Sequence, residues 1–297
     1  MSDTQDTIVT AKGLSPYVTA ANIKSVDYPL DKLNKVVWGC IDNSGLEIDT
    51  ADRADRRAGK DAFILYEIDL DELDDVDITN KLTPYDKRVY IAVASIFNAG
   101  LDTMSVTMIH KAMGNTGQPD ARQVANIHNS LTKMNAAHIY VNNEAEAKSY
   151  HGYKHFVYDS SLLPFERISA IINGKTTDAA IHLYREPPLM TFARERKQIT
   201  TLPIALLKSP LSKTDANLIL EDYFLAEISH MKNKSTFPRK MRFSTIFDRC
   251  GIKTPMQRSR VYKKIKALLD YYKQQDYILG YDEEKDGIFL KVALNKT

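Results

Sequence analysis

The chain has 297 residues, with 40 Lys and Arg against 38 Asp and Glu, a formal net charge of +2 and an apolar share of 43%. That length suits two ordinary domains, and the apolar share suffices for sizeable cores. Only Cys40 and Cys250 are present, in no metal-binding spacing, which excludes a disulfide framework and a cysteine zinc site, and no stretch approaches the roughly 20 apolar residues of a membrane span.

Near-neutrality conceals a split. Residues 61–78 hold eight acids and no base, whereas residues 231–266 hold twelve Lys or Arg against Asp248 alone. The opening MSDTQDTIVTAKG is polar and lacks an apolar signal core, so the expected compartment is a reducing cytoplasm.

In chain order, residues 1–35 show little periodicity, with Pro16 and Pro29 interrupting, and residues 51–60 are small and charged; both read as loop, tail or arm. Phe63–Leu70 alternates in its second half and is expected to be an edge strand with Glu67, Asp69 and Asp71 on one face. Thr83 followed by Pro84 opens a helix to about Ala99, with Tyr85, Val89, Ala92, Val93 and Ile96 recurring at three and four and Gly100 as its stop. Ser105 is placed to cap a short helix through Met113, closed by Gly114. Pro119–Met134 is a long helix whose core stripe is Val124, Ile127 and Leu131. Strands are expected at Ile139–Val141, Phe156–Leu163, Arg167–Ile172 and Ala179–Tyr184, with Asn173-Gly174 as a hairpin turn, and a short helix at Leu189–Lys197.

The pattern then repeats. Ser212 or Thr214 caps a helix Asp215–Met231, a small strand falls at Arg242–Phe243, and Ser244 caps Thr245–Cys250, which Gly251 ends. Thr254-Pro255 opens a long helix to about Gln274, and strands Tyr277–Tyr281 and Ile288–Val292 flank a loop at Asp282–Gly287. Without a gap, Ile109 falls on Ile246, Gly114 on Gly251, Val124 on Val261 and Leu131 on Leu268, a constant offset of 137 residues. This order of elements, twice over, predicts a mostly helical α+β chain of tandem winged-helix domains. Residues 1–80 form an N-terminal extension with an acidic strand, residues 81–201 a first winged helix with an enlarged β-wing, and residues 202–297 a second.

On the second long helix, a rotation of about 100° per residue sets Val261, Ile265, Leu268 and Tyr272 on one side. Ser259, Arg260, Lys263 and Lys266 fall on the other, with Tyr262 and Lys264 at the margins. Arg and Lys donate to guanine O6 and N7 in the major groove while neighbouring cations meet phosphate. Ser259, Arg260 and Lys263 are therefore the base-edge candidates. Arg258, Lys264 and Lys266, with Arg239, Lys240 and Arg242 from the preceding bend, are the phosphate candidates; a merely solvated basic face is the alternative. The first long helix exposes Arg122, Asn126, Asn129, Ser130 and Lys133 as a second, weaker DNA-contacting set, and His128 reads as packed. The second wing, Asp282–Asp286, is acidic apart from Lys285 and unfavourable for phosphate.

Catalytic signatures are mostly absent, so no enzyme activity, cofactor or metal is expected. Gly174-Lys175-Thr176 looks like the end of a P-loop, but Ser169 stands where the first glycine is needed, and the segment reads as a hairpin. His151 and His155 have helical metal spacing, yet Gly152 and the aromatics around them suggest loop and strand. Glu67, Asp69 and Asp71 could gather Mg²⁺ for a nuclease, against the commoner reading of an acidic edge.

Leu82–Gly100 (LTPYDKRVYIAVASIFNAG), Ala179–Ser209 and the unit from Leu211 together resemble the replication initiators of theta-replicating bacterial plasmids, the iteron-binding Rep type, over roughly residues 80–297. The resemblance implies a protein of the bacterial cytoplasm that binds direct repeats in double-stranded DNA at an origin. It implies dimerisation and some DNA contact through the first winged helix, the stronger DNA contact through the second, and a host initiator or helicase as partner. Carried over, Arg258–Lys266 takes the main DNA role and Arg122–Lys133 the lesser one. A winged-helix transcriptional regulator and a non-DNA interaction protein with an acidic partner are the alternatives.

Overall fold

The computed structural model describes residues 23–31, 34, 38, 63–68, 82–142, 157–172 and 175–295. The chain divides into two compact units, one comprising Met1–Val37, Glu47–Leu82 and Asp86–Ile204, the other Trp38–Leu46, Thr83–Tyr85 and Ala205–Thr297. Both mix helices with small antiparallel sheets, so the chain is of the α+β class.

The first unit contains β1 (Ser25–Pro29), β2 (Phe63–Ile68), α1 (Pro84–Asn98) from Asp86 onward, β3 (Thr103–Ser105), α2 (Val106–Ala112) and α3 (Ala121–Ala136). It continues through β4 (Ala137–Asn142), β5 (Val157–Ser161), β6 (Glu166–Ile172), β7 (Lys175–His182), α4 (Pro188–Glu195) and β8 (Ile199–Pro203). Its sheets run β1-β8, β2-β4-β5 and β3-β7-β6. As expected, α1 starts at Pro84, but it is no amphipathic helix with one apolar stripe. Val89, Tyr90, Ile91, Ala92, Val93, Ala94 and Ile96 are all buried, so the helix is covered on nearly every face.

Ser105 caps α2 as expected, accepting a hydrogen bond from the Met108 N–H at 3.3 Å. The long helix starts later than expected, at Ala121. Asp120 Oδ1 accepts from Gln123 N at 2.8 Å and Gln123 Oε1 accepts from Asp120 N at 2.9 Å, a reciprocal cap that outcompetes a start at Pro119. In the core stripe, Ile127, Leu131 and Met134 are buried and Val124 only partly so.

Three strands, β1, β3 and β8, correct the sequence reading. Residues 1–35 were expected to be irregular, yet Ser25–Pro29 pairs with Ile199–Pro203 from Ser25↔Pro203 to Pro29↔Ile199. Asp27 anchors it: its amide donates to Ser95 Oγ at 2.9 Å, and its carboxylate accepts from Asn98 and Arg194, each at 3.0 Å. Thr103–Ser105, where no strand was expected and Ser105 was read as a helix cap, pairs with β7. Among the described residues the acidic strand lies at a sheet edge, β2 pairing with β4 alone, while Asp69 and Asp71 lie outside the described residues, as do His151, His155 and the Asn173-Gly174 turn. Lys175 and Thr176 are in strand β7, as a hairpin requires.

The second unit contains α5 (Asp215–Asn233), β9 (Lys240–Arg242), α6 (Phe243–Arg249), α7 (Pro255–Gln274), β10 (Gly280–Glu284) and β11 (Gly287–Lys291), with sheet order β10-β11-β9. Leu218, Leu225 and Ile228 of α5 are buried, as are Ile246 of α6 and Val261, Ile265, Leu268 and Tyr272 of α7. Each such large apolar side chain contributes about 1.5–3 kcal/mol on burial. Gly114 and Gly251 both take positive φ, +88° and +64°, closing the short helix in each unit. α6 begins at Phe243 rather than after a Ser244 cap, because the Phe243 amide is bound by the Asp286 carbonyl at 3.0 Å.

The hairpin is tighter than expected. Asp282, Glu283 and Glu284 belong to β10, paired up to Glu284↔Gly287. A side chain at Gly287 would meet the Met241 carbonyl oxygen at 2.4 Å, so only glycine lets β11 pack this closely on β9.

Candidate nucleic-acid interface

α7 is held at its first turn. Thr254 Oγ1 accepts from Gln257 N at 3.3 Å, Gln257 Oε1 accepts from Thr254 N at 3.0 Å, and Pro255 occupies the first turn, where a missing N–H costs nothing. With the core stripe facing inward, Ser259, Arg260 and Lys263 lie exposed on the opposite face. Among the described residues, none of these three side chains has an ion pair or hydrogen-bond partner. Within the described residues they are unsatisfied donors on a helix whose first turn is capped.

The phosphate candidates separate into free and committed groups. Arg258 is exposed, its guanidinium 5.5 Å from the Phe247 ring centroid, which orients the cation without discharging it. Arg242 is exposed on β9. Lys264, by contrast, donates to Asn217 Oδ1 at 2.7 Å. Asn217 in turn donates to the carbonyl and hydroxyl oxygens of Ser212 at 2.8 and 2.9 Å. Lys264 is thus a strut between α7 and the start of α5, a correction to its placement beside the open basic face.

The acidic hairpin accounts for two more cations. Lys240 Nζ sits 2.7 Å from Glu284 and 2.6 Å from Asp286, and Lys266 Nζ is 3.5 Å from Glu283. The hydrogen bonds to Asp286 and Glu284 raise the Lys240 pKa, and the bond from Lys240 lowers that of Asp286. Arg239 is half-buried with its Nη1 out of solvent, and its carbonyl accepts from Leu290 N at 2.9 Å, so it is packed against the sheet rather than presented.

Two features escaped the sequence reading. Met256, in the first turn of α7, is 66% exposed. Tyr262, assigned to the margin, is 41% exposed and packs edge-on against Phe243 and Phe247, with centroids 4.6 and 5.3 Å away. Beside it a cleft of about 160 Å³ opens between α7 and the hairpin, lined by Phe243, Tyr262, Lys263, Lys266, Tyr281 and Glu283 among others. Burial and the hydrogen bond to Asp270 push the Tyr281 hydroxyl pKa up to about 12. Helical phase alone would have found Met256, four residues before Arg260; the Tyr262 stack needs contacts from α6.

The set on α3 is only half open. Arg122 and Asn126 are exposed and Asn129 is partly covered. Ser130 and Lys133, expected on the exposed face, are buried, and Lys133 Nζ lies 2.5 Å from the buried Asp86 carboxylate. The strands that follow α3 explain this: Leu163 N donates to the Met134 carbonyl at 3.1 Å, and Arg167 on β6 donates to Thr132.

No family model matches the chain, and no curated protein matches it. Among solved structures it is similar to domains 2 and 3 of RctB, with 11% identity and a TM-score of 0.44, covering 79% of this chain and 88% of that one. A second structure of RctB domains 2–3 aligns at 12% identity and a TM-score of 0.39, covering 70% of this chain and 72% of that one. Likeness at this level carries no functional information.

Proposed function

We propose that this chain is a sequence-specific double-stranded DNA-binding protein whose two units are tandem winged helices, and that it initiates replication of a plasmid or mobile element by binding direct repeats at its origin. The reading rests above all on the exposed, unsatisfied donors Ser259, Arg260 and Lys263 on the capped helix α7. In this reading α7 lies in the major groove, with Arg260 and Lys263 at base edges and Arg258 and Arg242 on phosphate. The first unit adds Arg122 and Asn126 and supports self-association, residues 1–80 act as an extension, and a host initiator or helicase is the downstream partner. The protein does no chemistry of its own and works in the bacterial cytoplasm. Among the described residues, no helix is long and apolar enough to cross a membrane, which suits that compartment.

The test is selection of bound sequences from random duplex DNA at about 0.15 M salt, since affinities for DNA mean little without a stated ionic strength. Tandem copies of the winning motif beside the protein's own gene are the expected result. Arg260→Ala and Lys263→Ala should each lose about 1–3 kcal/mol of specific affinity. A single inverted repeat over a promoter would mark a transcriptional regulator instead, and no enrichment would remove DNA recognition.

A further inference from the structure

The midline of the α7 face is not wholly basic. At about 100° per residue, Met256, Arg260 and Lys263 fall within about 60° of one another around the helix axis. Met256 is 66% exposed there, in the turn made rigid by the Thr254–Gln257 cap. An unbranched apolar side chain held in water between cations gains nothing from the free protein. It gains on contact with an apolar group set among hydrogen-bonding ones, and the thymine C5-methyl is the one such group on the base edges of the major groove. Resting on the DNA-binding reading of α7, we infer that Met256 is a specificity-determining residue that reads a thymine methyl. Four residues of helix rise about 6 Å, and successive base pairs are about 3.4 Å apart. The thymine therefore lies about two base pairs from the guanine contacted by Arg260.

The experiment uses the full chain and the motif it selects from random duplex DNA. Each thymine of that motif is replaced singly by uracil, which pairs identically and lacks the methyl. Wild-type protein should lose about fourfold in affinity at one position, the worth of one buried methyl. Met256→Ala should bind the thymine duplex about fourfold more weakly and no longer distinguish uracil there. Met256→Leu should keep the distinction, and because the side chain is exposed, all three proteins should unfold at the same urea midpoint. Equal uracil sensitivity in wild type and Met256→Ala, or none at any position, overturns the inference while leaving DNA recognition by α7 intact. Failure of the wild type to enrich any motif overturns both.

Discussion

Helices α3 and α7 hold the same place in their units, each following a short helix closed by a positive-φ glycine, yet their polar faces meet different fates. On α3 the stripe Arg122, Asn126, Asn129, Lys133 runs from exposed to buried within three turns. Strand β4 follows α3 directly, and the chain through β5 and β6 folds back on the helix's C-terminal half, so Lys133 becomes a core residue paired with Asp86. Among the described residues, α7 is followed by a hairpin of two five-residue strands, whose acids hold Lys240 and Lys266 at the side of the face while Arg260 and Lys263 have no such partner. Added strands turn a helix surface into core, whereas a short charged hairpin selects which of the surface cations remain available.

That contrast can be broken. The largest effect expected is on stability in the first unit: Lys133→Ala removes the cation 2.5 Å from the buried Asp86 carboxylate and should cost about 3–5 kcal/mol in chemical denaturation. Lys133→Met with Asp86→Leu should recover most of that loss, since well-packed apolar pairs replace buried ion pairs without penalty. Lys263→Ala, at the corresponding exposed face of α7, should leave the denaturation midpoint unchanged; a comparable loss there would erase the distinction between the helices.

Freeing a cation should sharpen it. Glu284→Gln with Asp286→Asn releases Lys240, so binding to duplex DNA should strengthen and the slope of log K against log salt should steepen by about one phosphate contact. An unchanged slope would mean that Lys240 stands away from the DNA.

The smallest effect is one of pH. His110 on α2 is buried, neither ring nitrogen has a partner among the described residues, and burial lowers its pKa, opposed by the Asp120 charge and aided by that of Lys111. The unfolded chain therefore takes up a proton, near the ordinary histidine pKa of about 6.5, that the folded unit refuses. The neutral ring is no burden above that pH, and stability falls as pH drops through it toward the lowered folded value. His110→Leu should flatten this fall between pH 7.5 and 5.5, as read from urea midpoints, while α7 variants should keep it.

Much of this architecture is legible in the sequence because it is local. Pro84 after Thr83, the Ser105 cap, Thr254-Pro255 and the glycines at 114 and 251 mark their helix ends within a few residues. Exposure of Arg260 and Lys263 likewise follows from helical phase against Val261, Ile265 and Leu268. Strand β1 was not legible: its five residues include Pro29 and gain their structure from β8, whose Pro203 lies opposite Ser25. The second strand of the hairpin was placed within a residue, but the first was set three residues too early and the loop drawn too long, since runs of acids read as loop until a partner strand pairs with them.

The sequence by itself determined the order of the helices, several of their ends and the concentration of positive charge around α7, because helix phase and turn chemistry act over three or four residues. Only the tertiary structure decided which charges remain available. Lys133 meets Asp86 across 47 positions, Lys240 meets Asp286 across 46 and Lys264 meets Asn217 across 47. Whether a cation is bare or paired depends on carboxylates and amides that chain folding brings within 3 Å, and no local pattern carries that information.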